Sequence, residues 1–232
     1  MTDSRQPIAD NLAAVEERLG AACRRAGRSR SDVTLVAVTK TVSREIAALL
    51  PALGVHDLGE SRPQELWRKA AIVPSPVRWH LIGHLQRNKI ERTLPLVARI
   101  HAVDSLRLLT ALEDACRQTA HGLPVLLEVN ASREASKHGF APEEVLGLAA
   151  HLAELQYVRV EGLMTMAAYE EEPERTRPTF AALRELRDRL AAELGRPLPQ
   201  LSMGMSNDFE IAVEEGATLV RLGTVLFGEI AE

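Results

Sequence analysis

The sequence predicts an α/β protein, a single (β/α)8 barrel of the TIM type carrying one extra helix at its N-terminus. Three observations predict it. Strand-like and helix-like segments alternate strictly, eight strands with seven helices between them, and no repeat, linker or low-complexity stretch interrupts them. Several strands are continuous apolar runs rich in β-branched residues, as in parallel strands covered on both faces. After the eighth strand only residues 224–232 remain, too few for a full covering helix, so the N-terminal helix can fill that place on the outer ring. A doubly wound open sheet shares the alternation and is the competing architecture.

In chain order, Ile8, Leu12, Val15, Leu19 and Ala22/Cys23 recur at helical spacing, with Glu16, Glu17 and Arg18 between them. They predict a helix over about 6–26, ended by Gly27 and a basic, serine-rich loop at 28–31 that reads as a solvated linker. VTLVAV (33–38) is the first strand, followed by a helix over 44–53 and a short strand over 55–58. A helix over 62–71 precedes a strand over 78–82, and a short helix from Gln86 precedes a strand over 100–103. A helix over 106–119, a strand over 124–130, a helix over 142–154 and a strand over 158–163 follow. A long polar helix over 174–194, a strand over 199–204, a helix over 207–215 and a strand over 218–223 complete the set.

Composition sets the class. Of 232 residues, 46% are apolar and 26% charged, ample material for a core. Aromatic residues make up only 3%, so Ala, Leu and Val must fill that core. A net charge of -4 gives no field to recruit nucleic acid. Two cysteines, Cys23 and Cys116, make no disulfide framework and suit a reducing compartment. The opening MTDSRQPIADNL has no apolar core of a secretory signal, and the apolar stretch over 46–55 is broken by Pro51 and too short to span a bilayer. A cytoplasmic, one-domain protein over 1–232 is expected, monomeric or weakly dimeric, without membrane or nucleic-acid partners.

In such a barrel the chemistry lies at the C-terminal ends of the strands. Lys40 follows an almost wholly apolar strand and should project from the rim into the mouth. Near its ordinary pKa of about 10.4 a lysine is a poor nucleophile. Partial desolvation and a nearby cation such as Arg221 would free its amine for Schiff-base chemistry; a solvated lysine capping the strand fits the same position. After strands seven and eight come Gly204-Met205-Ser206-Asn207 and Arg221-Leu222-Gly223-Thr224, where this fold usually cradles phosphate. Ser206 and Asn207 open a helix, and Asn207 with Glu210 fits a capping box, turning amides and a positive dipole end toward an anion. A plain helix cap and a plain turn fit these residues too.

His80 and His84 have an i, i+4 spacing, but Gly83 spoils the helix a zinc pair needs, so no metal is expected. Cys23 and Cys116 read as packed or half-exposed thiols. The acidic run at 170–172 reads as a loop start, and Lys89 and Lys137 read as solvated charges or anion contacts.

The motifs AVTKT around Lys40, LGESRPQEL (58–66), WHLIGHLQRNK (79–89), VDS (103–105), EVNASREASKHG (128–139), GLMTM (162–166), LSMGMSND (201–208) and VRLGTVLFG (220–228) stand in this order. Together they resemble the pyridoxal 5′-phosphate homeostasis protein family over nearly all of 33–228. The resemblance implies a barrel similar to the N-terminal domain of alanine racemase, holding pyridoxal 5′-phosphate. It makes Lys40 the Schiff-base lysine, in the family's (S/T)KT motif. Ser206, Gly223 and Thr224 match its phosphate loops, and Arg221 the arginine expected near the pyridine nitrogen or phosphate. Asn130 and Met166 lie in segments that line the family's pocket. One departure is Ser61, where the family commonly has Asn; its hydroxyl can replace an amide contact directly or through water. No residue is expected to be catalytic.

Two points argue for a binding protein taking part in intracellular cofactor homeostasis, with cofactor-dependent apoenzymes as acceptors. An arginine against the pyridine nitrogen disfavours a protonated ring, although alanine racemase uses the same arrangement. Racemases of this class also need an acid–base residue from an appended β-domain, and this chain runs only nine residues past Gly223. Tyr169 is the one phenol on the correct side of the barrel. A small racemase-like enzyme using Lys40 as base is the alternative. A barrel aldolase is weaker still, for want of paired acids among the strand ends.

Overall fold

The computed structural model of the chain describes residues 4–132, 134 and 138–230. Its eight strands are β1 (Thr34–Val38), β2 (Asp57–Glu60), β3 (Arg78–Leu81), β4 (Val97–Val103), β5 (Leu123–Glu128), β6 (Val158–Met164), β7 (Gln200–Ser202) and β8 (Leu219–Leu222). They run parallel and close into a barrel in sequence order. Closure is made by β8 on β1, with Thr34 opposite Leu219 and Ala37 opposite Leu222. An open sheet would leave those backbone groups unpaired, so the ladder excludes the doubly wound alternative.

Around the barrel lie α1 (Arg5–Arg25), α2 (Arg44–Ala47), α3 (Pro63–Ala70), α4 (Ile90–Thr93), α5 (Leu106–Thr119), α6 (Pro142–Gly147), α7 (Ala149–Glu154), α8 (Arg177–Leu194), α9 (Phe209–Glu214) and α10 (Thr224–Phe227). The expected N-terminal helix packs against α9 and the short α10, in the place of a missing eighth covering helix. Ile8, Val15 and Leu19 are fully buried there, each contributing roughly 1.5–3 kcal/mol. Arg18 ties the contact down, its guanidinium 4.6 Å from the Phe209 ring and 2.9 Å from Glu210.

Several boundaries differ from the sequence reading, each for a local reason. The helix expected over 44–53 stops at Ala47, and Pro51, which has no amide hydrogen to continue a ladder, opens a 3-10 turn (Pro51–Leu53). The helix over 142–154 divides at Leu148 into α6 and α7. The second strand is Asp57–Glu60 and not 55–58, because both carboxylates are buried with partners of their own. An apolarity pattern does not see such a strand.

The main core fills the space between strands and helices, built mostly from Leu, Val and Ala. A separate cluster of Val36, Ala102, Leu126, Met164 and Leu219 packs together from five strands, the layered filling of a barrel interior. Buried beside it are Asp57, His80, His101, Ser202 and Arg221, so one side of the lumen is polar.

Candidate functional site

At the C-terminal ends of the strands opens a cavity of about 680 Å³, within the size range of small-molecule sites. Lys40, Met166, Ser206, Arg221, Gly223 and Thr224 all line it. Residues from β1, β6, β7 and β8 therefore meet although 184 positions separate the first from the last (224 minus 40). Asn130 is not among the lining residues: its side-chain amide donates to the Glu134 carbonyl at 2.8 Å and its oxygen accepts from Ser132, bracing its own loop. Lys89 is half-buried in a 3-10 turn and does not line the cavity, and Lys137 lies outside the described residues.

Lys40 sits two residues past the end of β1 and is exposed, so the desolvation expected of it is not present. Its base is anchored from below. Thr39 is fully buried, and its hydroxyl donates to Glu60 at 2.9 Å. The Lys69 ammonium reaches from α3 to the same Glu60 oxygen and to the Thr39 carbonyl, both at 2.5 Å. A buried Lys–Glu pair thus grips the residue before Lys40. Sequence reasoning missed Lys69, although its spacing from Leu66 places it on the apolar face of α3.

Arg221 rises from β8 with 4% of its surface exposed. Its guanidinium donates to Ser202 Oγ at 2.6 Å and to the Thr165 carbonyl at 2.9 Å. Burial lowers its pKa to about 10, opposed by the charges of Asp208 and Glu128, so it remains a cation at neutral pH. Asp208 and Glu128 are themselves pushed up by burial.

The loops after β7 and β8 meet through side chain and backbone. Ser206 Oγ accepts the Val225 amide at 3.2 Å, joining the two turns that were expected to cradle phosphate. The capping box expected between Asn207 and Glu210 is not formed. Asp208 stands at the N-cap of α9 and accepts the Met205 amide at 2.6 Å. Asn207 donates outward to the Glu170 carbonyl at 2.7 Å, and Glu210 is drawn away by Arg18. Across the opening Ser61 and Gly83 lie back to back; a Cβ on Gly83 would stand 2.3 Å from the Ser61 carbonyl oxygen, so only glycine permits this approach.

His80 and His84 lie in different surroundings. His80 is buried in the lumen, while the exposed His84 bonds Asp104 at 2.7 Å. Among the described residues no group of three or more His, Cys, Asp and Glu side chains could hold a metal ion. Cys23 and Cys116 are both buried, and burial pushes the Cys116 thiol up to about 11.

A primary amine, a buried guanidinium, two hydroxyls and two turns of backbone amide around one opening suit a phosphorylated carbonyl compound. The alanine racemase N-terminal domain family matches residues 11–231 of the chain. The pyridoxal phosphate homeostasis protein of Aquifex aeolicus (strain VF5) is 43% identical over 221 residues, covering 95% of this chain and 97% of that protein. The chain belongs to the pyridoxal phosphate homeostasis protein family. Another family member, from Pseudomonas aeruginosa, is 40% identical over 225 residues, covering 95% of each chain. PipY of Synechococcus elongatus PCC7942, solved with PLP bound, has a TM-score of 0.83 and 31% identity over 95% of this chain and 100% of its own. Family membership thus agrees with the resemblance carried by the motifs around Lys40, Ser206 and Arg221. Among the described residues no helix is long and apolar enough to cross a membrane.

Proposed function

We propose that the chain holds pyridoxal 5′-phosphate reversibly in the mouth cavity and takes part in its intracellular homeostasis, without significant turnover of amino acids. The observation that carries this reading is the meeting of Lys40, Ser206, Arg221, Gly223 and Thr224 in one cavity, with a PLP-bound relative of the same fold. When bound, the cofactor supplies an aldehyde that condenses reversibly with a primary amine, together with a phosphate and a pyridine ring.

The chain's own residues divide that work. Lys40 presents the amine on a base held by Thr39, Glu60 and Lys69. Ser206 and the Gly223–Thr224 turn receive the anion, where backbone amides and a hydroxyl converge. Arg221 offers a fixed cation whose position is set by Ser202 and Thr165. Met166 contributes apolar wall.

Turnover requires a second acid–base group held within reach of the reacting carbon. Tyr169 is the phenol on the cavity among the described residues, and it is 82% exposed. At that exposure packing does not hold the phenol over the cavity. We assign the protein to the cytoplasm, as a monomer or weak dimer, with cofactor-dependent apoenzymes as acceptors.

The test is a near-visible absorbance titration with pyridoxal phosphate, followed by borohydride reduction and peptide mapping. One pyridoxyl group per chain, on the Lys40 peptide and lost in Lys40→Ala, is expected. Label scattered over surface lysines would overturn the site. Incorporation of solvent deuterium at an amino acid's α-carbon, well above the rate with free cofactor, would favour racemase-like use of Lys40 as base.

A further inference from the structure

Below Arg221 a file of polar side chains runs through the lumen to the opposite end of the barrel. Arg221 Nη1 lies 2.6 Å from Ser202 Oγ, and Ser202 Oγ lies 2.8 Å from His101 Nδ1. His101 Nε2 lies 2.8 Å from His80 Nδ1, and His80 Nε2 lies 3.0 Å from Asp57 Oδ1. Ser202 and His101 are fully buried, and His80 and Arg221 are nearly so. Arg78 closes the far end on Asp57.

The ends of this file dictate its middle. A guanidinium can only donate and a carboxylate can only accept. Arg221 therefore donates to Ser202, whose single proton is left for His101 Nδ1. A neutral His101 then carries its hydrogen on Nε2 and donates to His80 Nδ1. His80 likewise carries its hydrogen on Nε2 and donates to Asp57. Burial lowers the pKa of both rings, His101 well below the ordinary value, which keeps each of them neutral. Every proton has one place, and every donor points away from the mouth. Among the described residues no carboxylate forms an ion pair with Arg221, so Asp57 is the formal charge on which its hydrogen-bond file ends.

We propose that Asp57, His80, His101 and Ser202 are positioning residues for Arg221, a one-way hydrogen-bonded file that aims its guanidinium at the bound cofactor from the opposite end of the barrel. The proposal rests on the cofactor reading above. It goes beyond it in assigning a role at the mouth to a carboxylate four hydrogen bonds away.

Two measurements test it. Imidazole ¹⁵N spectra of the wild-type protein at neutral pH should show His80 and His101 both neutral and protonated on Nε2; a hydrogen on Nδ1 of either ring would overturn the file, with or without cofactor. Next, pyridoxal phosphate affinity is compared by absorbance titration. Ser202→Ala and His101→Leu should weaken it about tenfold, the scale of a lost hydrogen bond to a charged group. Ser202→Thr, which keeps the hydroxyl, should restore it, and in Ser202→Ala the His101 ring should lose its single tautomer. Wild-type affinity in Ser202→Ala, with its fold intact by circular dichroism, would sink the positioning role. Wild-type protein that binds no cofactor would instead sink the function proposed above, leaving the ¹⁵N result to decide whether the file exists. If the lumen variants fail to fold, the wild-type spectrum still decides.

Discussion

Strand β2 carries a buried carboxylate at each end, and the two are held in opposite ways. Asp57 opens the strand and faces the lumen, taking His80 from inside and Arg78 from the rim. Glu60 closes the strand and turns to the helix layer, where Thr39 and Lys69 hold it. The side chains of Lys69 and Glu60 are 5% and 1% exposed, whereas that of Arg78 is 62% exposed. Odd spacing along a strand sends the two side chains to opposite faces. The mouth end is therefore built on a sheltered ion pair that braces Lys40, and the far end on a pair whose arginine is open to water. A sheltered charge depends wholly on its partner, while an open one can fall back on solvent.

The largest expected effect separates these two pairs. Lys69→Met strands Glu60 and should cost about 3–5 kcal/mol of unfolding free energy, read by urea denaturation. Arg78→Met should cost less than about 1 kcal/mol, because an exposed pair is weak. Equal losses would break the comparison.

A second difference appears in acid. His80 and His101 have pKa values lowered by burial, so between those values and about 6.5 the unfolded chain binds more protons than the folded one. Stability is then fully present above pH of about 6.5 and falls as pH drops, on the order of 1 kcal/mol per pH unit for each ring. For Asp57 burial alone would raise the carboxyl, but His80 and Arg78 outweigh it and hold it at about 2. A further loss follows between pH of roughly 4 and 2. At the mouth Glu128 and Asp208 are raised by burial and act with the opposite sign, gaining stability as pH falls through their raised values. Thermal midpoints measured from pH 8 to 4 should fall most steeply in Glu128→Gln and least in His101→Gln. The reverse order would mean that the lumen histidines are not buried as neutral rings.

The smallest expected difference is between two glycines. Gly83→Ala at the mouth drives a methyl group into the Ser61 carbonyl and should cost about 1–3 kcal/mol. Gly54, at the far end before β2, has a φ of +82° and open space around it, so alanine there meets only backbone strain. That change should cost about 1 kcal/mol, and chemical denaturation of the pair would show whether the mouth is the tighter end.

Much of this molecule was legible in its sequence, and what escaped shares one property. All eight strands were found, because buried parallel strands such as 33–38 and 124–130 write themselves as apolar runs. Lys40, Ser206, Arg221, Gly223 and Thr224 line one cavity, and the sequence singled them out because barrel connectivity puts strand ends at one mouth and because their motifs resemble a known family. The shifted second strand, the lysine of α3 and the lumen histidines were not read as such. Each is a polar group whose burial depends on a partner distant in sequence: Glu60 for Lys69, Ser202 for His101, Asp57 for His80. Asn130 stands in a familiar motif, yet its hydrogen bonds turn it to its own loop.

By itself the sequence determined the alternation that closes into the barrel, the buried face of the N-terminal helix and the rim that would carry chemistry, since these follow from short-range periodicity and chain connectivity. Tertiary structure alone decided which charges are buried, which partner each of them takes and which way the lumen protons point. Those depend on distances between residues as far apart as His101 and Ser202, and a hydrogen bond is made or lost within a few tenths of an ångström.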